Sequence, residues 1–103
     1  MIEKIALHQA ILEQIRQIVN ETLQGLTYQL YLFGSFAKGT QTPSSDIDIA
    51  IDSNAPLPNR VFVELRLRLE ESTIPYVIDV INMQKASPQL REEIRKSGVR
   101  WND

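Results

Sequence analysis

From the N-terminus, Ile5, His8, Leu12, Ile15, Val19 and Leu23 recur at steps of three and four residues, with Glu3, Glu13, Gln14, Arg16 and Gln17 between them. This is the spacing of one helix face, and it predicts a helix from about Ile2 to Leu23, stopped near Gly25. His8 falls at the border of the stripe and reads as a packing residue, since the chain has no second histidine to share a metal. The period then shortens. Tyr28 to Phe33 carries no charge, is rich in aromatic and aliphatic residues and ends at Gly34, which predicts a buried strand. A short helix fits Gly34 to about Lys38, and its first N–H groups would favour a phosphate. From Asp46 to Ile51 the alternation is strict, with Ile47, Ile49 and Ile51 facing one way and Asp46, Asp48 and Ala50 the other. That is a strand with one apolar face and acids at the start of the other.

Asp52 to Asn59, with two prolines and two asparagines, reads as a loop. Over Arg60 to Ser72 two periods compete. Val63, Leu65, Leu67 and Leu69 alternate with charges as in a strand, but the Glu, Leu and Arg content and the length favour a helix. The helix would be capped by Asn59, bury Val61, Phe62, Leu65 and Leu69, and leave Val63 and Leu67 on another face, free for a partner. A third strand, Tyr76 to Ile81, opens after Pro75 and is apolar apart from Asp79 in its middle. Ser87-Pro88 signals a last helix, which runs to Ser97 and stops at Gly98. The order predicts an α+β fold: one domain over residues 1–103, with a small mixed sheet of about three strands flanked by helices.

Composition adds exclusions. The length of 103 residues suits one modest core, and 43% hydrophobic with 23% charged residues is ordinary globular composition. With 11 Lys and Arg against 13 Asp and Glu, the net charge of -2 supplies no field for long nucleic acids. The absence of cysteine removes disulfides, thiolate metal sites and a cysteine nucleophile. No apolar run approaches membrane-spanning length and no leader pattern opens the chain, so a cytoplasmic location is expected.

The chemistry concentrates between Phe33 and Asp52, FGSFAKGTQTPSSDIDIAID. Asp46 and Asp48, two apart on a strand, point the same way with bases about 7 Å apart. Mg²⁺ takes one or two carboxylates together with phosphate oxygens and water, which suits such a pair; strand-edge solubility is the plain alternative. A calcium loop does not fit, because Ile47, Ile49 and Ile51 occupy the positions between the acids. Asp79, flanked by Val77, Ile78, Val80 and Ile81, is costly to bury without a partner and otherwise belongs on a solvated sheet edge. Beside Asp46 and Asp48 it would complete a trio of acids that repel one another unless a cation joins them. Gly34 and Gly39 have P-loop spacing, but Thr40-Gln41 stands where Lys-Ser/Thr is required. Gly39, Pro43 and Ser44 therefore read as turn residues. Lys38 is a solvated lysine or a phosphate contact. The late bases Lys85, Arg91, Arg95, Lys96 and Arg100 read as a solvated helix face, or as a surface for a partner or a triphosphate.

Taken together, GSFAKGTQTPSSDIDIAI followed by Asp79 on a later strand resembles the signature of the DNA polymerase β-like nucleotidyltransferase superfamily: Gly-Ser, a spacer of about ten residues, Asp-x-Asp and a more distant Asp. The short chain is similar to the minimal nucleotidyltransferases, such as the MntA-type antitoxins paired with HEPN-domain toxins. The resemblance implies that Gly34 and Ser35, with Lys38, hold nucleotide phosphates and that Asp46, Asp48 and Asp79 bind Mg²⁺. Asp79 would also help deprotonate the acceptor. Lys38 stands where many relatives carry arginine, so its phosphate contact would not be bidentate. The implied reaction is in-line attack on the α-phosphate of ATP, with pyrophosphate leaving. The implied acceptor is a hydroxyl side chain, such as tyrosine, on a HEPN-type partner, with Val63, Leu67 and the N-terminal helix as contacts. Two alternatives remain at this point: a non-catalytic module that neutralises the partner by binding it, and an enzyme that adenylylates a small molecule such as an aminoglycoside.

Overall fold

The computed structural model describes residues 2–42 and 44–101, with side chains from residue 9 onward. The expectations for Ile5 and His8 therefore lie outside the described side chains, and that for Pro43 outside the described residues. The elements are α1 (Ile2–Thr22), β1 (Gln29–Phe33), α2 (Ser35–Lys38), β2 (Ile47–Asp52), α3 (Asn59–Glu71), β3 (Ile78–Asn82), α4 (Pro88–Ser97) and β4 (Val99–Arg100), with a 3₁₀ turn over Met83–Lys85.

The strands form one mixed sheet in the order β3-β2-β1-β4. β1 is antiparallel to both β2 and β4, whereas β2 and β3 run parallel. A parallel pair cannot be joined by a hairpin, and α3 supplies the crossover. This resolves the competing periods over Arg60 to Ser72 in favour of the helix. Val61, Phe62, Leu65 and Leu69 are its buried stripe.

Both long helices cover the sheet face built from the alternating isoleucines. Ile15, Val19 and Leu23 of α1 and Phe62 and Leu65 of α3 pack against Leu30, Ile47, Ile49 and Ile51 in one apolar cluster. The other face carries a smaller cluster, in which Ile94 of α4 and Met83 meet Ala50 with Tyr31, Phe33, Ile81 and Leu90 around them. Because side chains alternate along a strand, Asp48 shares this second face with Ala50. α4 is held over it by a defined start: the Ser87 hydroxyl accepts from the Leu90 N–H at 3.2 Å, and Pro88 occupies the first turn. Ser87→Ala is expected to cost about 1 kcal/mol of stability, measured as a lowered denaturant midpoint with an unchanged slope.

Several expectations need correction. The sheet has four strands, not three. β4 pairs only Val99 with Leu32 and Arg100 with Tyr31, a ladder too short to show a period. Its entry is tight: a Cβ on Gly98 would stand 2.5 Å from the Ile94 carbonyl oxygen. Asn59 does not cap α3. Pro58 holds that position without a side-chain bond, and Asn59 begins the helix. In α1, Ile11 rather than Leu12 reaches the core; Leu12 is partly buried against it. β3 begins at Ile78 rather than Tyr76, although the Val77 carbonyl already accepts from the Ile47 N–H at 2.9 Å. Among the described residues no helix is long and apolar enough to cross a membrane.

Candidate functional site

Three adjacent strands end at one place. In the sheet register Phe33, the last residue of β1, lies opposite Asp48, and Asp48 lies opposite Asp79. In-register neighbours on adjacent strands stand about 4.8 Å apart with side chains on the same face. The structure thus brings Asp48 and Asp79, 31 positions apart in sequence by their numbers, side by side. Asp46 is exposed and lies one residue before β2, so the expected pair on a single strand becomes one strand residue and one flanking residue. Asp46 follows a turn closed by the Ser45 N–H donating to the Thr42 carbonyl at 3.0 Å and the Thr42 N–H donating to the Ser45 hydroxyl at 2.8 Å. Asp79 is exposed on the outermost strand, so the cost of burial does not explain it.

Asp48 is the centre of the group. Its carboxyl is pushed above the ordinary aspartate range, first by burial, then by the neighbouring charge of Asp79 and then by that of Asp46. The last two causes place Asp79 and Asp46 each within electrostatic reach of Asp48. Gly34 closes the other side. Its backbone, at φ 74 and ψ -154, occupies a region that is essentially reserved for glycine. A Cβ there would stand 2.3 Å from Asp48 Oδ2. The carboxylate therefore rests directly against the Gly34 backbone, with Ser35 next in the chain.

This donor set fits a divalent cation of the Mg²⁺ type. Among the described residues no three His, Cys, Asp or Glu side chains already stand at metal-ligand spacing. Mg²⁺ needs no such cage, because it is usually held by one or two carboxylates with phosphate oxygens and water completing the octahedron. Asp48 with Asp46 or Asp79 offers that number of carboxylates, beside the Gly34-Ser35 turn.

Two concavities adjoin the acids. One, of about 200 Å³, lies on the Asp48 face between the Gly34 turn and α4, walled by Phe33, Leu90 and Ile94 with Lys38, Glu93 and Ser97 around it. The other, about 420 Å³, runs between α3 and the outer edge of β3 and includes Arg66, Tyr76, Val77 and Asp79. Arg66 closes part of that edge by donating to the Val80 carbonyl at 3.0 Å. That α4 lines the first of these clefts was not expected from the sequence. Its Leu90, Glu93, Ile94 and Ser97 follow helical spacing, and that pattern was the available signal. Of the late bases, Arg95 is not simply solvated: it pairs with Asp52 at 2.9 Å and ties α4 to the end of β2.

A family model for polymerase beta nucleotidyltransferases matches residues 9–100. The chain is 37% identical over 81 residues to the probable protein adenylyltransferase MntA of Haemophilus influenzae, covering 77% of this chain and 71% of that protein. Its fold matches a chain in a crystal structure of a toxin–antitoxin with AMP-PNP, with a TM-score of 0.73 and 30% identity over 88% of this chain and 73% of that one. It also matches a chain in the structure of a tri-AMPylated Shewanella oneidensis HEPN toxin in complex with MNT antitoxin, with a TM-score of 0.68 and 26% identity, covering 92% of this chain and 72% of that one. The family match contains the Gly34 turn, the paired Asp48 and Asp79, and the flanking Asp46. On the sequence match and the shared fold, this chain belongs to the polymerase β nucleotidyltransferase family.

Proposed function

We propose that the chain transfers AMP from ATP to a hydroxyl side chain of a HEPN-type toxin and thereby acts as its antitoxin. The observation that carries this reading is the placement of Asp48 between the Gly34 backbone and Asp79. It is supported by relatives that are adenylyltransferases and by a related fold found in complex with an AMPylated HEPN toxin.

In this reading the two reactants lie on opposite sides of Asp48, in keeping with the sheet order. β1 delivers Gly34 and Ser35 on one side, so the phosphates of ATP lie there, with Lys38 of α2 within the same neighbourhood. β3 delivers Asp79 on the other side, at the edge of the sheet formed by the described residues, and in this reading the acceptor comes in over that edge. Asp46, Asp48 and Asp79 would hold Mg²⁺, which would supply charge stabilisation to the transferring phosphoryl group and the departing pyrophosphate. Asp79 takes the proton of the acceptor hydroxyl. The acceptor oxygen then bonds to the α-phosphorus as the bond to the bridging oxygen breaks, and pyrophosphate leaves in line. The protein's own contribution is mainly to hold both reactants in this alignment. Because the reaction draws on ATP, we assign the chain to the cytoplasm.

Val63 and Leu67, 56% and 51% exposed on α3, are large apolar side chains facing outward and are the contacts proposed for the toxin. The same exposure favours the second reading, a module that neutralises by occupancy alone. Co-expression of the toxin with wild-type chain or Asp48→Asn separates the two. The enzyme reading expects Asp48→Asn to co-purify with the toxin yet lose growth rescue. Full rescue by that variant would establish the binding module.

A further inference from the structure

Two supports of the site, the Gly34 turn and Asp79, sit on lightly anchored pieces of the fold. The turn leads into α2, a helix of four residues with no fully buried side chain. One turn of helix is not stable alone, so packing has to set its direction. Its half-buried apolar side chains, Phe36 and Ala37, supply that packing against the main core cluster. Asp79 belongs to β3, which has a ladder on one side only in the sheet of the described residues. The Ile47 N–H donates to the Val77 carbonyl, so in the parallel register Val77 and Asp79 turn their backbone groups toward β2 and Val80 turns its own outward. Arg66 takes up the outward Val80 carbonyl at 3.0 Å and fastens that edge to α3. None of these bonds ties β3 to the turn.

A ring contact does. Phe36 meets Tyr76, with ring centroids 5.4 Å apart and planes at 84°. This is an edge-to-face arrangement, which aromatic pairs favour. α2 follows β1 and Tyr76 precedes β3, so the pair spans the start of β2, the strand between them. Both rings are half-buried and pack against the cluster on the isoleucine face, which includes Ile47. Asp48 and Asp79 lie on the opposite face of the sheet. The pair therefore stands behind the site, joining the supports of the two reactants without touching the reactants.

We infer that the Phe36–Tyr76 pair is a brace that sets the spacing between the phosphate turn and Asp79, and that both are positioning residues for AMP transfer. The inference rests on the reading of the turn and the acids as an AMP-transfer site. In-line displacement needs the acceptor oxygen, the α-phosphorus and the leaving oxygen in one line, so an error in that spacing falls on the transfer step. Nucleotide binding is spared, because it draws on the turn and Asp48, which β1 and β2 hold through their own ladder.

The test reads transfer and binding separately. Transfer is followed as the rate of mass gain on the co-purified HEPN-type toxin with saturating ATP and Mg²⁺, and binding by calorimetry with AMP-PNP and Mg²⁺. Phe36→Leu and Tyr76→Leu are each expected to slow transfer about tenfold, the effect of a displacement well under 1 Å, and to leave AMP-PNP affinity within about twofold of wild type. The double variant should be no slower than either single one, since the brace is broken once. Tyr76→Phe keeps the ring and discards the hydroxyl, and should transfer at close to the wild-type rate. Phe36→Met, which keeps apolar bulk without a ring, answers the same question if a leucine variant fails to fold. Wild-type rates in the ring-less variants would overturn the inference, as would losses that multiply in the double variant or an equal loss of AMP-PNP affinity. If the wild-type chain itself adds nothing to the toxin, the transfer reading fails, an outcome distinct from an active enzyme that does not need the brace.

Discussion

Asp48→Asn is expected to reduce AMP transfer about 10³-fold or more, the scale of several kcal/mol of charge stabilisation lost from the transferring phosphoryl group. The substitution keeps the size of the side chain and removes the charge at the centre of the acidic group. It should not weaken the fold; its effect on stability should have the opposite sign. Asp48 is held above the ordinary aspartate range by burial and by Asp79 and Asp46. Its raised value means that the folded state binds a proton more tightly than the unfolded chain. The stability this provides is fully present below the ordinary aspartate range and is lost as pH rises through the raised value. Wild type should therefore lose stability relative to Asp48→Asn on going from strongly acidic to neutral pH. Thermal melts of the two proteins across that interval should show Asp48→Asn higher in Tm at neutral pH, with the gap closing on acidification. Mg²⁺ with AMP-PNP should raise the Tm of wild type and leave Asp48→Asn nearly unmoved. A variant that melts lower than wild type at neutral pH would contradict the repulsion described here.

Gly34→Ala should be nearly as damaging to activity, for a different reason. The residue's φ of 74 and ψ of -154 suit glycine, and forcing a side chain there costs about 1–3 kcal/mol. The added Cβ would also stand 2.3 Å from Asp48 Oδ2, so the carboxylate has to move. A displacement on the order of 1 Å at a reacting centre costs about 10²-fold. Gly39, the cap at the other end of α2, provides the control. It too has a φ of 74, but its ψ of 16 is the ordinary left-handed region, and a Cβ there meets nothing within 4 Å. Gly39→Ala should pay only the backbone cost, about 1–2 kcal/mol, and retain most of its activity. Measuring kcat/KM and the denaturation midpoint for both variants separates the two effects. Similar activities for the two would show that contact with Asp48 does not matter.

The alternating isoleucines of β2 and the glycine ending β1 made most of the fold readable, because each face or turn they demand has one simple solution. The acids were readable as residues, and as a group only through the family resemblance rather than from any local pattern. Whether Asp79 stands beside Asp48 depends on the parallel register set by α3, which no local pattern records. A two-residue strand such as β4 leaves no period at all. The α4 wall was hidden by its own chemistry: Glu93 and Ser97 at a cleft rim are the residue types that also face solvent. Arg95 reads as solvated for the same reason until its pairing with Asp52 is seen.

The most direct test of the account is the intact mass of the HEPN-type partner after incubation with this chain, ATP and Mg²⁺. The partner is expected to gain one or more AMP units, a gain absent when Asp48→Asn replaces the wild-type chain. An unchanged partner mass, in a complex that forms and with the other nucleoside triphosphates also tried, would contradict it and leave neutralisation by binding alone.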